Sequence, residues 1–194
     1  MDLGLNYKQA KKLLDKYIKD QITKLHCRES EAIMRGLAKY FGDDEEKWGI
    51  IGLLHDIDWE LTKDKTEEHC VKCADILKEA GASEFLIETI VSHAYGHSLN
   101  EDLKNKERNT RLQHCLASAE TLTGLIIASV LVRPDKKIAN LELKSLKKKF
   151  KNKKFAENCR REIIMECEKA GLALDEFLSI GLKALQGIAG ELGM

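Results

Sequence analysis

The sequence predicts an all-α fold: a helical bundle with additional C-terminal helices. Apolar residues recur at helical spacing through almost the whole chain. No segment alternates apolar and polar residues between turn signals, as a strand would. Pro134 is the only proline in 194 residues, too few for a loop-rich β fold. Capping residues divide the periodicity into elements. Asn6 with Gln9 forms a capping-box pattern before the stripe Tyr7, Leu13, Leu14, Tyr17 and Ile18. A second helix fits residues 24–41 and stops near Gly42. Asp43 or Asp44 caps a third, running through Ile50, Ile51, Leu53 and Leu54 to His55. Thr66 caps a fourth that Gly81 closes, and Ser83 caps a fifth that ends at His93. A long apolar helix fits residues 111–132 and is stopped by Pro134. Further helices are expected at 142–150, at 155–170 closing at Gly171, and after a cap at Asp175.

The length suits one domain with a real core. Residues 1–132 form the expected helical core. Residues 133–194, a basic segment with the C-terminal helices, are expected to pack on it. The N-terminus shows no basic region followed by an apolar stretch. The longest near-apolar run, Leu125–Val132, is shorter than the roughly 18 residues a membrane span needs. A soluble, cytoplasmic protein without a membrane partner is therefore expected. In such a compartment the six cysteines are read as free thiols. Cys70 and Cys73 form a Cys-x-x-Cys, but no second ligand pair completes a zinc site and no strand precedes it.

Five polar residues stand at the ends of apolar helices. His26 lies near the start of the second helix, and His55 with Asp56 at the end of the third. His69 lies near the start of the fourth helix and His93 at the end of the fifth. Short connections make consecutive helices antiparallel, which brings His26 to His55–Asp56 and His69 to His93. If the two hairpins pack with matching ends, four histidines and a carboxylate converge. Imidazole and carboxylate are ligands for Zn, Mn and Fe ions. An unpaired carboxylate emerging beside Leu53, Leu54 and Ile57 would be costly, so a cation partner is expected.

His26, then Leu53-Leu54-His55-Asp56-Ile57, then an acidic residue on a later helix resembles the HD-domain superfamily of metal-dependent phosphohydrolases. The resemblance covers roughly residues 22–125 and implies an HD-domain-like helical bundle. It implies a first-metal set of His26, His55, Asp56 and Glu120, where the family has Asp in place of Glu120. His69 and His93 match the extra histidines of members with two metals. One or two divalent transition-metal ions (Fe, Mn or Zn) are thus implied, with Asp56 as the catalytic carboxylate that bridges them or orients a water. Asp58 and Trp59 stand where the family often has Gly and Lys. Asp58 either orients a ligand or faces solvent, and His97 is either a general acid, an added ligand or a loop residue. Residues 121–161 are similar to a subgroup of small predicted HD hydrolases. His114 is six residues from Glu120 and points away from it on a helix.

Zero net charge hides a division. From Arg133 to Arg161 there are twelve Lys and Arg against three acidic residues, a net +9 that leaves −9 for the rest. The segment is read as a solvated face, a phosphate clamp or a weak nucleic-acid surface. Phe150 and Phe155 are few aromatics for base stacking, so a small phosphorylated substrate is expected and nucleic acid is not. Lys136 and Lys137, just past Pro134, are the phosphate candidates. The leading function is hydrolysis of a phosphate ester, a nucleotide being one candidate. An HD-type diiron oxygenase and a non-catalytic metal- or nucleotide-binding regulatory module remain open.

Overall fold

A computed structural model describes residues 2–96 and 100–194. The described residues contain no strand, as the periodicity predicts. Helix α1 (Tyr7–Tyr17) opens on the expected box: Asn6 and Gln9 each accept the other's backbone N–H at 2.9 Å. Helix α2 (Gln21–Phe41) starts earlier than the periodicity suggests, because Asp20 caps it by accepting the Thr23 N–H at 2.8 Å. It ends at Gly42, whose φ of +73° is the left-handed stop that glycine takes without strain. Asp44, rather than Asp43, caps α3 (Glu45–Leu54).

The tight turn folds α3 back along α2. A Cβ at Gly52 would lie 2.7 Å from the Ser30 carbonyl oxygen, so glycine there sets how closely the two helices approach. The start of α2 is thereby placed beside the end of α3. After the short α4 (Trp59–Thr62), the chain departs from expectation. Thr66 does not cap the next long helix but opens a separate 3₁₀ turn, Thr66–Glu68. His69 is extended, Cys70 takes a left-handed φ of +68°, and only then does α5 (Val71–Glu79) begin. The cap comes from a distant side chain. Asp58 accepts the N–H groups of Cys70 and Cys73 at 2.8 and 3.0 Å. Helix α6 (Glu84–Val91), capped by Ser83, runs into a 3₁₀ turn, Ser92–Ala94, that carries His93.

After α7 (Glu101–Lys104), a Thr110–Gln113 capping box opens α8 (Arg111–Leu131). Helix α8 is long and apolar enough to cross a membrane, but most of its apolar window is buried by the other helices. Helix α9 (Leu143–Lys151) matches its expected place. The expected helix over 155–170 does not form. Its first residues make turns, followed by α10 (Arg161–Ile164) and a 3₁₀ turn, Met165–Cys167. The Arg161 guanidinium is the cause: it draws backbone carbonyls of residues 149–159 toward itself, away from a helical ladder. Helix α11 (Leu174–Gly187) is not capped by Asp175, which sits in its first turn and pairs with Lys147 at 2.6 Å. Helix α12 (Ala189–Leu192) closes the chain.

One hydrophobic cluster joins Ile33 and Leu37 of α2, Ile51 and Leu54 of α3, Leu122 of α8 and Phe177 of α11. Each such fully buried side chain contributes about 1.5–3 kcal/mol. The residues after Pro134 thus share the core with those before it.

Candidate metal centre

The ends of α2 and α3 bring His26 Nε2 to 3.1 Å from His55 Nε2. The residues around α5 and α6 bring His69 Nε2 to 3.2 Å from His93 Nε2. Asp56 stands between the pairs. Its Oδ2 is 3.6 Å from His26 Nε2 and 3.5 Å from His55 Nε2. Its Oδ1 is 3.5 Å from the Nε2 atoms of both His69 and His93. One carboxylate therefore gives one oxygen to each pair.

The opposite edge of every ring fixes its tautomer. His55 Nδ1 donates to the Gly52 carbonyl at 2.8 Å, and His93 Nδ1 to the Ile90 carbonyl at 2.7 Å. Both acceptors belong to the preceding helical turn. His69 Nδ1 donates to Asp58 Oδ1 at 2.8 Å. His26 Nδ1 meets Thr123 Oγ1 at 3.0 Å, and that hydroxyl already donates to the Glu120 carbonyl at 2.6 Å, so it accepts from the imidazole. With Nδ1 carrying the hydrogen, each ring in its neutral form turns a bare Nε2 lone pair inward. Two facing lone pairs and a carboxylate oxygen on each side form a donor set that a cation completes. The residues fit a pair of divalent ions, His26, His55 and Asp56 on one side and His69 and His93, with Cys70 beside them and Asp56 Oδ1 facing them, on the other.

Burial pushes the His55 imidazole down to about 3, which keeps it neutral. Burial also opposes charge on Asp56, but the surrounding histidines outweigh it and hold the carboxyl well below its usual range. Cys70 Sγ lies 3.9 Å from His93 Nε2 and belongs to the second cluster. The described cysteines are all free thiols.

The centre opens into a cleft of about 480 Å³. Glu120 reaches its wall from α8, outside either tight cluster, and takes a hydrogen bond from the Thr121 hydroxyl. Burial raises the Glu120 carboxyl. Lys136 and Lys137 do not line the cleft. Helix α8 runs about 12 Å past Thr123 before it ends, and the Pro134 turn carries both lysines with it. Arg160 and Asn158 line the cleft in their place. His97 lies outside the described residues.

A family model of the HD domain matches residues 24–125. The chain belongs to the HD-domain family. Most members are metal-dependent phosphohydrolases, and the matched span holds His26, His55, Asp56, His69, His93 and Glu120. Among curated proteins and solved structures, none matches the chain.

Several residues that hold the HD domain's site carry no clear signal in the sequence. Asp58 is fully buried, orients His69 and caps α5. Thr123 orients His26 from the same face of α8 as Glu120, three residues away, a spacing that could have revealed it. Arg108 binds Glu166 through two nitrogens at 2.6 Å and donates to the carbonyls of Ser92, His93 and Tyr95. His114 does point away from Glu120, and its Nδ1 lies 2.8 Å from Glu166.

Proposed function

We propose that this protein is a metal-dependent phosphohydrolase acting on a phosphate ester, with a nucleotide as the leading candidate. The observation that carries the reading is the Asp56 carboxylate shared between two facing histidine pairs, in a cleft with Arg160 on its wall. His26 and His55 would hold one ion, His69 and His93 the other, and Asp56 both. When bound, such ions acidify a water and offset charge on a phosphoryl oxygen.

The chain's own residues do the rest. Gly52, Ile90, Asp58 and Thr123 fix the rings, so little reorganisation is needed when a ligand set closes. Glu120 stands in the cleft wall with a carboxyl raised by burial, where it can take and return a proton. Asn158 and Thr66 offer hydrogen bonds, and Trp59 an aromatic face.

The test begins with elemental analysis of protein purified without chelator, followed by a phosphate-ester panel with Mn, Fe, Co, Ni and Zn. Asp56→Ala is expected to lose bound metal and to lower turnover about 100-fold or more, since ion stabilisation is worth several kcal/mol. Unchanged metal content and turnover would sink the assignment. Stoichiometric iron with oxygen uptake and no ester cleaved would replace it with an oxygenase, and protein that binds no metal would mark a non-catalytic module.

A further inference from the structure

Three depressions, the first of them the metal cleft, are linked through shared lining residues. The metal cleft shares Cys159 and Arg160 with a second depression, which Lys151, Lys153 and Phe150 also line. The second shares Lys151 with a third, lined by Lys144, Lys147 and Lys148 of α9. The acidic side chains along this path are Asp56 and Glu120 in the cleft, Glu157 and Glu162 in the second depression, and Asp175, which pairs with Lys147 at 2.6 Å, beside the third; Glu162 is paired with Arg160 at 2.6 Å. Lys144, Lys148, Lys151, Lys153 and Arg160 are all exposed. Lys144, Lys148 and Lys151 sit at helical spacing on one side of α9 and span about 10 Å. This is one basic track that begins at the metal centre.

The track is built rather than loose. Arg161 donates to the carbonyls of Phe150 and Ala156 at 3.0 Å and of Asn152 at 3.2 Å, and also to those of Lys149, Phe155 and Cys159. One guanidinium thereby fixes the loop that presents Asn158 and Arg160 to the cleft.

We infer that the cleft takes one end of a short single-stranded oligonucleotide, with its reacting phosphate at the His–Asp centre and its following phosphates along Arg160, Lys153, Lys151 and the lysine side of α9. For the reacting phosphate this rests on the phosphohydrolase reading. A track this long exceeds what one phosphate ester needs. Asp56 is 15% exposed, a recessed position, and a strand end is the form of nucleic acid assigned to it. The basic segment alone has too few aromatics to hold a strand. The structure adds Trp59 to the cleft and places the half-buried Phe150 in the next depression, so aromatic side chains as well as cations line the track.

The test is equilibrium binding of a fluorescently labelled, cleavage-resistant phosphorothioate single strand of about six nucleotides to the metal-loaded protein. A duplex, a nucleoside monophosphate and inorganic polyphosphate are the competitors. The single strand is expected to bind more tightly than any of them, with affinity falling steeply as salt rises. The triple variant Lys148→Ala/Lys151→Ala/Arg160→Ala, all on exposed positions, is expected to weaken strand binding about 10-fold or more, with metal content unchanged. The salt dependence should flatten by roughly 0.7 for each phosphate that is no longer neutralised. Equal affinity for strand and mononucleotide, tighter binding of polyphosphate, or an unchanged triple variant would each overturn the inference. Because binding is read without turnover, the two proposals fail separately. Turnover of simple esters without strand preference sinks this one alone, and strand binding with no ester cleaved sinks the other.

Discussion

The histidine wall of the cleft and the basic wall are held by different kinds of contact. On the histidine wall, two of the four rings are fixed by carbonyls three residues earlier on their own helix turn: Gly52 for His55 and Ile90 for His93. The information is local, so a short motif can carry it. The basic wall has no regular element across residues 152–160. It is shaped by Arg161 on backbone carbonyls and joined to the first wall by Arg108 and Glu166, 58 residues apart. Helix geometry positions a metal-facing ring with its own carbonyls, whereas an irregular wall needs long-range polar clasps. Breaking those clasps should therefore do the most damage.

The largest effect is expected from Glu166→Gln. It leaves Arg108 buried without its carboxylate, at a cost of about 3 kcal/mol, and loosens the carbonyls that follow α6. Burial pushes the Glu166 carboxyl up, but Arg108 and His114 outweigh it and hold it below its ordinary 4.5. A carboxyl lowered by folding stabilises the folded state above its unfolded value and loses that contribution as pH falls through its folded value. The wild type should therefore lose stability below about pH 4.5, and denaturant melts at stepped pH should find that component absent in the variant. A variant as stable as wild type, with the same acid slope, would show that the walls are not clasped here.

The same contrast decides what was legible in the sequence. That His26, His55, Asp56, His69 and His93 would converge was readable because short connections force antiparallel neighbours, although the cap expected before His69 failed and His69 is extended ahead of α5. Asp58 was visible but ambiguous, since nothing local says that its carboxylate will cap a helix twelve residues later. That unforeseen cap is also why Thr66 failed as the start of α5. Arg160 was hidden among eleven other cations of similar appearance. The helix expected over 155–170 had the right pattern and was overridden by Arg161, whose six carbonyl partners no propensity rule anticipates.

Asp58→Asn sharpens the comparison from the histidine side. Among the described residues, Asp58 is the carboxylate that accepts from a ring Nδ1 on this wall, and its amide substitute would turn a donor toward His69 or a capped N–H. Loss of such a partner typically costs 10–100-fold in metal affinity. Chelator titration should show the His69–His93 ion leaving first, while the His26–His55 ion stays. Equal retention of both ions would mean that Asp58 only caps α5.

A smaller effect is expected where the two walls touch. A Cβ at Gly124 would lie 2.8 Å from Cys159 Sγ. Gly124→Ala should cost about 1 kcal/mol, at the low end for overpacking because Cys159 is only partly buried. Adding Cys159→Ala should restore most of it. A double variant no more stable than Gly124→Ala would refute this contact as the cause.

The smallest effect separates position from composition. Lys136 and Lys137 carry the same charge as the track lysines and lie in the same basic segment, yet the end of α8 holds them away from the cleft. Lys136 is in a left-handed turn at φ +48°, and the Lys137 N–H is bound by Asp135 at 3.2 Å. If charge anywhere in the segment steered the substrate, Lys136→Ala/Lys137→Ala and Lys151→Ala/Arg160→Ala would raise KM alike. If the built wall matters, the first pair should leave stability within about 0.5 kcal/mol and KM within about twofold, the residue of a screened distant field. The second should raise KM several times more. Equal shifts for the two pairs, both fading with salt, would return the basic segment to a diffuse solvated face and remove Arg160 from the site.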